Sequence, residues 1–488
     1  MPYIPVTASQ RGEMLAALGR ASIEELFADI PRQFRFPPLD LDEGLSETET
    51  LREISALADR NINADTSLWF LGAGAYNHFV PAAVGALASR GEFLTAYTPY
   101  QAEVSQGTLQ AIFEYQSMIA GLTGMDVVNA GHYDGAAALA EAVIMALKHA
   151  GAGTAGGSAI PRVLIPEGLH PEYREVLKTY LGPLYRAVES YSGDPVSAAE
   201  GAKNAAAGNA KTDAAAETAG NAGTDTAAGT SGPALACLVA AYPDFFGIIP
   251  DLEGAAEAVH AAGGLLIVQA DPIMLGLFKS PGEYGADIVT AEGQCLGNDM
   301  NYGGPFLGIM AVTGELMRRI PGRIAGEARD AAGRRGYVLT LSAREQHIRR
   351  ERAVSNICSN QGLVMLRSCI YLALLGKQGL RQAAELCWRL SHYAASELAK
   401  LPGFSAAGGT FFKEFVLKLP YTFSARRGGG LSSASEAAEA LYQKNIVPGL
   451  PLSRYFPGRT NELLVCVTEN NSKADIDRLT AALAELYH

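Results

Sequence analysis

GGLLIVQADPIMLG, residues 263–276, and GADIVTAEGQCLGNDMNYGGPFLG, residues 285–308, decide the fold. Each stretch opens on glycine and rises into an apolar run. The first run ends at Asp271, and the second runs into Gln294, Cys295 and Leu296. An unbroken apolar run of this length is a strand covered on both faces, which places it in a largely parallel sheet sandwiched by helices. In open α/β sheets, ligands bind beyond the carboxyl ends of such strands.

Working outward, further strands are expected at DVVNA (126–130), RVLIP (162–166), 187–191, ALACLVAAY (234–242) and FLGIMAV (306–312). With GLLIV (264–268) and DIVTA (287–291) they make seven. Amphipathic stretches such as GAAALAEAVIMALKHA (135–150) and PEYREVLKTYL (171–181) lie between them. Repeated β-α units of this kind give an α/β fold, a mainly parallel seven-stranded sheet with helices on both faces. This large sheet domain is expected over 66–342. Residues 1–65 read as an N-terminal helical arm. In it, Ser22 and Glu25 suggest a capping box for a helix that Pro31 ends, and SETETLREISALADR (46–60) has helical spacing. An arm of this kind packs on its own domain or on a neighbouring subunit. Helical pattern then dominates 343–400. A small α+β domain is expected over 401–488, from strands at FKEFVLKLP (412–420) and NELLVCVTE (461–469), each followed by a helix. Residues 201–232, almost wholly Ala, Gly, Thr and Asn, lack the apolar surface to offset ordering and read as a disordered insertion.

Composition narrows the function. The chain has 488 residues, 48% hydrophobic and 18% charged, with a net charge of −12. Without a dense basic run this argues against nucleic acid and anionic membranes. The N-terminus lacks the apolar core of a secretion signal, and no uninterrupted apolar run reaches the ~18–20 residues of a span. Six scattered cysteines without a CxxC pair suggest neither zinc nor redox chemistry, so no metal is expected and the thiols suit a reducing cytoplasm.

Chemistry is expected in few places. Asp271, at a strand's carboxyl end, is placed to hold a cofactor's ring nitrogen protonated, or simply to cap the turn at Pro272. The lysine nearest this position in sequence is Lys279, which precedes the second strand and reads as a loop residue. TAYTPYQAEVSQG (95–107) packs Tyr97, Thr98, Tyr100, Gln101, Glu103, Ser105 and Gln106 around a turn, so these line either a cleft or seam, or a polar surface loop. GAGAY (72–76) offers backbone N–H groups to an anion, and GHYDG (131–135) precedes a helix start, a natural phosphate seat. His132 is an acid–base candidate or a structural histidine. Arg344, His347, Arg349, Arg350 and Arg352 form a basic stretch read as helical, either a solvated face or a seam for an acidic partner.

Longer strings carry a family resemblance: FLGAGAYNHFVP (70–81), TAYTPYQAEVSQGTLQAIFEYQ (95–116), ADIVTAEGQCLGNDMNYGGPFLG (286–308), REQHIRRERAVSNICSNQ (344–361) and GLPLSRYFP (449–457). The chain resembles the alpha-type subunit of the glycine decarboxylase P-protein of the glycine cleavage system. The resemblance implies the fold-type I architecture of pyridoxal-phosphate enzymes and an α2β2 heterotetramer with a beta subunit. It also implies that the Schiff-base lysine and the pyridoxal 5'-phosphate belong to the beta subunit, because Gln294 and Cys295 stand here where the beta chain has His-Lys. The implied reaction decarboxylates glycine and passes the aminomethyl group to the lipoyl group of the H-protein. No catalytic residue is then expected in this chain, whose contribution falls on the 97–106 segment at the seam. Two other readings compete: an autonomous pyridoxal enzyme, and a regulatory pseudoenzyme partner without a direct part in turnover.

Overall fold

A computed structural model of the chain describes residues 6–35, 40–94, 99–151, 160–205, 234–353, 355–357, 360–420 and 432–487. They form two units, divided between Ile62 and Asn63. In the first, two helices carry Thr7/Gln10 and Ser46/Glu49 capping boxes: α1 (Ala8–Ala17) and α2 (Glu47–Ala58). The helix expected after Ser22 is only a 3-10 turn, Glu24–Phe27. A segment closed this early by Pro31 has too few propagating hydrogen bonds to repay helix nucleation. The large apolar residues Met14, Leu18, Leu51, Ile54 and Leu57 of this unit are exposed.

The second unit holds the seven-stranded sheet. Its strands are β1 (Val127–Val128), β2 (Arg162–Pro166), β3 (Val188–Tyr191), β4 (Leu235–Tyr242), β5 (Leu265–Ala270), β6 (Ile288–Glu292) and β7 (Gly308–Val312). All seven coincide with strands read from the sequence. Their order is β1-β7-β6-β5-β4-β2-β3, with β7 antiparallel to its neighbours and the other adjacent pairs parallel. Every residue of β4 is buried, as a central strand covered on both faces requires. Helices α3 (Gln106–Thr123) and α4 (Gly135–His149) supply buried residues to two separate cores. Residues 195–205 are helical and reach into the stretch read as an insertion; 206–232 lie outside the described residues.

A hairpin that the sequence reading did not anticipate, β8 (Ile324–Arg329) and β9 (Arg335–Thr340), follows the sheet. The basic stretch after it is not one helix. Gln346–Arg349 makes a single turn, Arg350 adopts φ 53°, and 353, 355–357 and 360–361 are non-helical. Arg344 is spent on the Leu341, Ile320 and Gly322 carbonyls rather than on an exposed face. Helix α5 (Gly362–Leu398) is the one described helix long and apolar enough to span a bilayer. Gly376 interrupts its helical dihedrals, and Met365, Cys369, Tyr371 and Cys387 on it join the core.

The C-terminal strands β10 (Ser405–Ala406), β11 (Glu414–Lys418), β12 (Leu450–Pro451) and β13 (Glu462–Cys466) pair in the order β10-β11-β13-β12. Helices Ala434–Tyr442 and Lys473–Tyr487 cover this sheet. The loop Asp244–Ile248 fastens it to the large sheet. Asp244 accepts the Phe246 and Ile248 N–H groups, and Gly247 (φ 88°) lies so close to β11 that a Cβ would stand 2.0 Å from the Glu414 carbonyl oxygen. Gly247→Ala is therefore expected to destabilise the chain by about 2 kcal/mol or more. Urea unfolding of the two proteins checks this.

Candidate functional site

Asp271 leaves the carboxyl end of β5 and turns back so that its Oδ1 accepts the Ile273 and Met274 N–H groups. Its Oδ2 meets Lys413 Nζ at 2.7 Å, both side chains being buried. Lys413 comes from the residue before β11, so the small sheet reaches across to the large one through this pair. The nearest lysine in sequence, Lys279, is instead an exposed loop residue paired with Glu253. The sequence reading missed Lys413. The available signal was a Lys-Glu pair inside the run FFKEFV, where alternation cannot expose both charges.

Lys413 has further neighbours. Its Nζ stands 3.4 Å from the Tyr76 ring centroid, a cation–π contact, and 3.0 Å from His78 Nε2. An ammonium only donates, so His78 Nε2 accepts and Nδ1 carries the ring proton. That proton points to Glu469 Oε2 at 2.7 Å, and Cys387 Sγ donates to the same oxygen at 3.1 Å. A buried chain results: Asp271, Lys413, His78, Glu469, Cys387. Burial pulls the Lys413 pKa down, but Asp271 and other neighbours outweigh it and leave it above the ordinary lysine range. Burial pushes Glu469 up, but His78, the Phe79 N–H and Cys387 hold it down at about 2. Among the described residues, His78, Cys387 and Glu469 are the one group with metal-ligand types close together. The tautomer fixed by Lys413 places a hydrogen, not a lone pair, on Nδ1. As arranged, the group is a hydrogen-bond relay and not a metal centre.

The surrounding loops are closed by the chain's own groups. The GAGAY loop offers one backbone N–H to an acid of the chain itself: Glu414 accepts from Ala73 N (2.6 Å) and Tyr76 Oη (2.8 Å), and burial raises its pKa above the ordinary carboxylate range. Gln294, where a Schiff-base lysine's neighbour would stand, accepts from Tyr76 N and donates to the Tyr76 and Asn298 carbonyls. Cys295 is buried, and burial raises its thiol well above the usual range, so it is no nucleophile. At the start of α4, Asp134 accepts Ala137 N at 2.7 Å and Glu292 accepts Gly135 N at 2.8 Å. Two acidic side chains thus occupy the predicted phosphate seat, with burial pushing the Glu292 carboxyl up to about 8. His132 is buried against Asn129, with its pKa lowered to about 3 by burial; it is a neutral structural residue.

Pyridoxal phosphate does not fit these residues. The ring-nitrogen acid is neutralised by Lys413, the lysine position holds Gln294 and Cys295, and the helix start that would take a phosphate is already capped by acids. A cavity of about 80 Å³ remains between His170 and Asp271.

The seam segment lands elsewhere. Tyr97 and Thr98 lie outside the described residues. Gln101 and Glu103 are exposed, and Ser105 precedes α3 without a side-chain cap bond. Gln106 is structural: its amide pairs with the Tyr337 backbone in β9. Tyr100 accepts from Arg323 Nη2 at 2.7 Å, and its ring stacks edge-on against His347. Arg323 is 2% exposed and pairs with buried Glu345, which also faces His347 at 3.5 Å. The two polar stretches singled out in the sequence therefore converge on Arg323, which the sequence reading did not name.

Both centres lie on a chain whose residues 1–483 match the model of the Glycine cleavage system P-protein family. The chain belongs to this family. It is 46% identical over 488 residues to the probable glycine dehydrogenase (decarboxylating) subunit 1 of Desulfitobacterium hafniense, covering 100% of both chains. It is 45% identical to the like-named protein of Thermomicrobium roseum, covering 99% of each. A crystal structure of glycine decarboxylase (P-protein) in inhibitor-bound form superposes with TM-score 0.80 at 39% identity, covering 100% of both chains. Mouse CSAD in apo form, 16% identical with TM-score 0.63 over 96% of this chain and 92% of that one, shares the fold. The fold is that of the fold-type I pyridoxal-phosphate enzymes, as the sequence resemblance implied.

Replacing Lys413 with Met strands the buried Asp271 charge, and is expected to cost about 3–5 kcal/mol in urea unfolding. Adding Asp271→Asn removes the stranded charge and should recover most of that loss. Glu469 stabilises the fold fully above its unfolded pKa near 4.5, and this is lost as pH falls from there toward about 2. Glu469→Gln is therefore expected to flatten the acid limb of the stability–pH curve below about pH 4.5, read by thermal unfolding across pH.

Proposed function

We infer that this chain is the alpha subunit of a split glycine dehydrogenase (decarboxylating) of the glycine cleavage system. The observation that carries the reading is a chain matched over its whole length to the family, with Gln294 and Cys295 where an imine-forming lysine belongs. The pyridoxal 5'-phosphate is then held by a beta subunit in an α2β2 heterotetramer, and supplies there the electron sink for loss of CO₂ from glycine. The lipoyl arm of the H-protein takes the aminomethyl group. The five described cysteines are free and buried, which supports a reducing, cytoplasmic setting.

In this reading the alpha chain binds no aldehyde. It completes the seam and excludes water. Tyr100 and His347, held by Arg323 and Glu345, form the face it presents to the beta subunit's site, with Gln101 and Glu103 exposed beside them. The exposed apolar side chains of α1 and α2 are the surface that wraps the partner.

The purified chain is expected to be colourless and to trap no imine on borohydride treatment. Mixed with its beta partner it should restore glycine-dependent CO₂ exchange, and Tyr100→Phe should lower that exchange about tenfold, equivalent to about 1.4 kcal/mol. Full exchange by the beta subunit alone favours the regulatory reading instead.

A further inference from the structure

A second cavity, of about 130 Å³, opens between the start of α3 and the start of α5. Its walls are apolar, among them Phe93, Leu94, Ile112, Met365 and Leu366. Three polar side chains line it, Thr108, Arg323 and Asn360. Arg323 is 98% buried by its 2% exposure, and it gives Nη2 to Tyr100 and sets Nε 3.3 Å from Glu345. Its Nε and Nη1 make no hydrogen bond, nor do Glu345 Oε1 and the buried Oδ1 of Asn360; of these residues, Arg323 and Asn360 line the cavity. Leaving such groups unmatched out of water is costly, so each one calls for a ligand atom.

From this geometry we propose that the cavity is a binding site for a small α-amino acid. The carboxylate meets Arg323 Nη1 and the ammonium meets Asn360 Oδ1. The α-carbon and a short apolar side chain lie against Ile112, Met365 and Leu366. Charge agrees with this assignment. Arg323 and Glu345 form a neutral pair, and a zwitterion adds no net charge to a buried site. A bare carboxylate leaves the Asn360 acceptor unmatched, and a bare amine meets the like charge of Arg323. The lining residues all belong to this chain, although Arg323 also holds Tyr100 at the proposed seam.

Alanine, propionate and ethylamine form a matched series that tests it by titration calorimetry on the full chain. Alanine is expected to bind at least tenfold tighter than propionate or ethylamine. Arg323→Lys keeps the charge facing Glu345 but removes Nη1, and should weaken alanine at least tenfold. Asn360→Gly suits the backbone there, whose φ is 58°, and removes only the acceptor. It touches no ion pair, so its result stands even if Arg323→Lys fails to fold; a tenfold loss of alanine affinity with propionate unchanged is expected. The proposal is overturned by absence of alanine binding at millimolar concentration, by propionate binding as well as alanine, or by Asn360→Gly leaving alanine affinity intact.

Discussion

A buried ammonium beside a buried carboxylate organises this molecule. Lys413 and Asp271 stand 2.7 Å apart with almost no access to water, and they join the carboxyl edge of a seven-stranded sheet to the residue that leads into β11 of a smaller one. Neither charge is tolerable alone, since desolvating one ion costs several kcal/mol. The pair therefore fixes the relative placement of the two sheets as well as contributing to their stability. Around it, Tyr76 covers the ammonium, His78 passes its polarity on, and Glu469 ends the chain against Cys387. Within the second unit, the Gly247 approach and the Ile249–Thr410 hydrogen bond repeat the same attachment beside it.

The same pair is part of why pyridoxal phosphate does not fit the residues at this sheet edge. The features that would receive pyridoxal phosphate are recognisable: an acid after a central strand, a glycine turn, and a helix N-terminus beyond the sheet edge. Each has been given an internal partner. Lys413 pairs with the acid, and the Asp134 and Glu292 side chains accept the N–H groups at the helix start. Glu414 fills the glycine loop. Satisfying these groups internally keeps the buried polar surface paired without a ligand.

The sheet was legible because most of its strands are apolar runs bounded by glycine or polar residues, the edge strand β3 (VESY) being the exception, and no tertiary information is needed to see that. The hairpin at 324–340 was not, because IAGEAR and RGYVLT carry mixed charges and are held largely by each other and by α3. The basic stretch was misread as a helix because spacing alone cannot show that Arg344 turns inward to three carbonyls or that Arg350 takes a left-handed φ. At the site, the acid Asp271 was legible and its partner was not. A lysine 142 positions further on, by the numbering 413 − 271, enters only once two sheets have packed. Arg323 was hidden for the same reason: a single arginine between prolyl-glycine and isoleucine becomes a hub only when Tyr100, Glu345 and His347 arrive from two other segments.

Two arginine- and lysine-centred clusters therefore divide the labour in this chain. At Lys413 every donor faces an acceptor or a ring face, so the cluster is closed and serves the fold. At Arg323 two guanidinium nitrogens, Nε and Nη1, and the nearby Asn360 amide oxygen make no hydrogen bond beside a cavity with largely apolar walls, so that cluster is open. Buried donors are retained without partners only where something outside the chain supplies them, because a hydrogen bond left unmade costs more than a made one returns. The closed centre lies at the carboxyl edge of the seven-stranded sheet, and the open one lies beside the polar segment 99–106 that reads as a seam. Function in this chain is therefore expected at the open cluster, displaced from the sheet edge where the fold alone would put it.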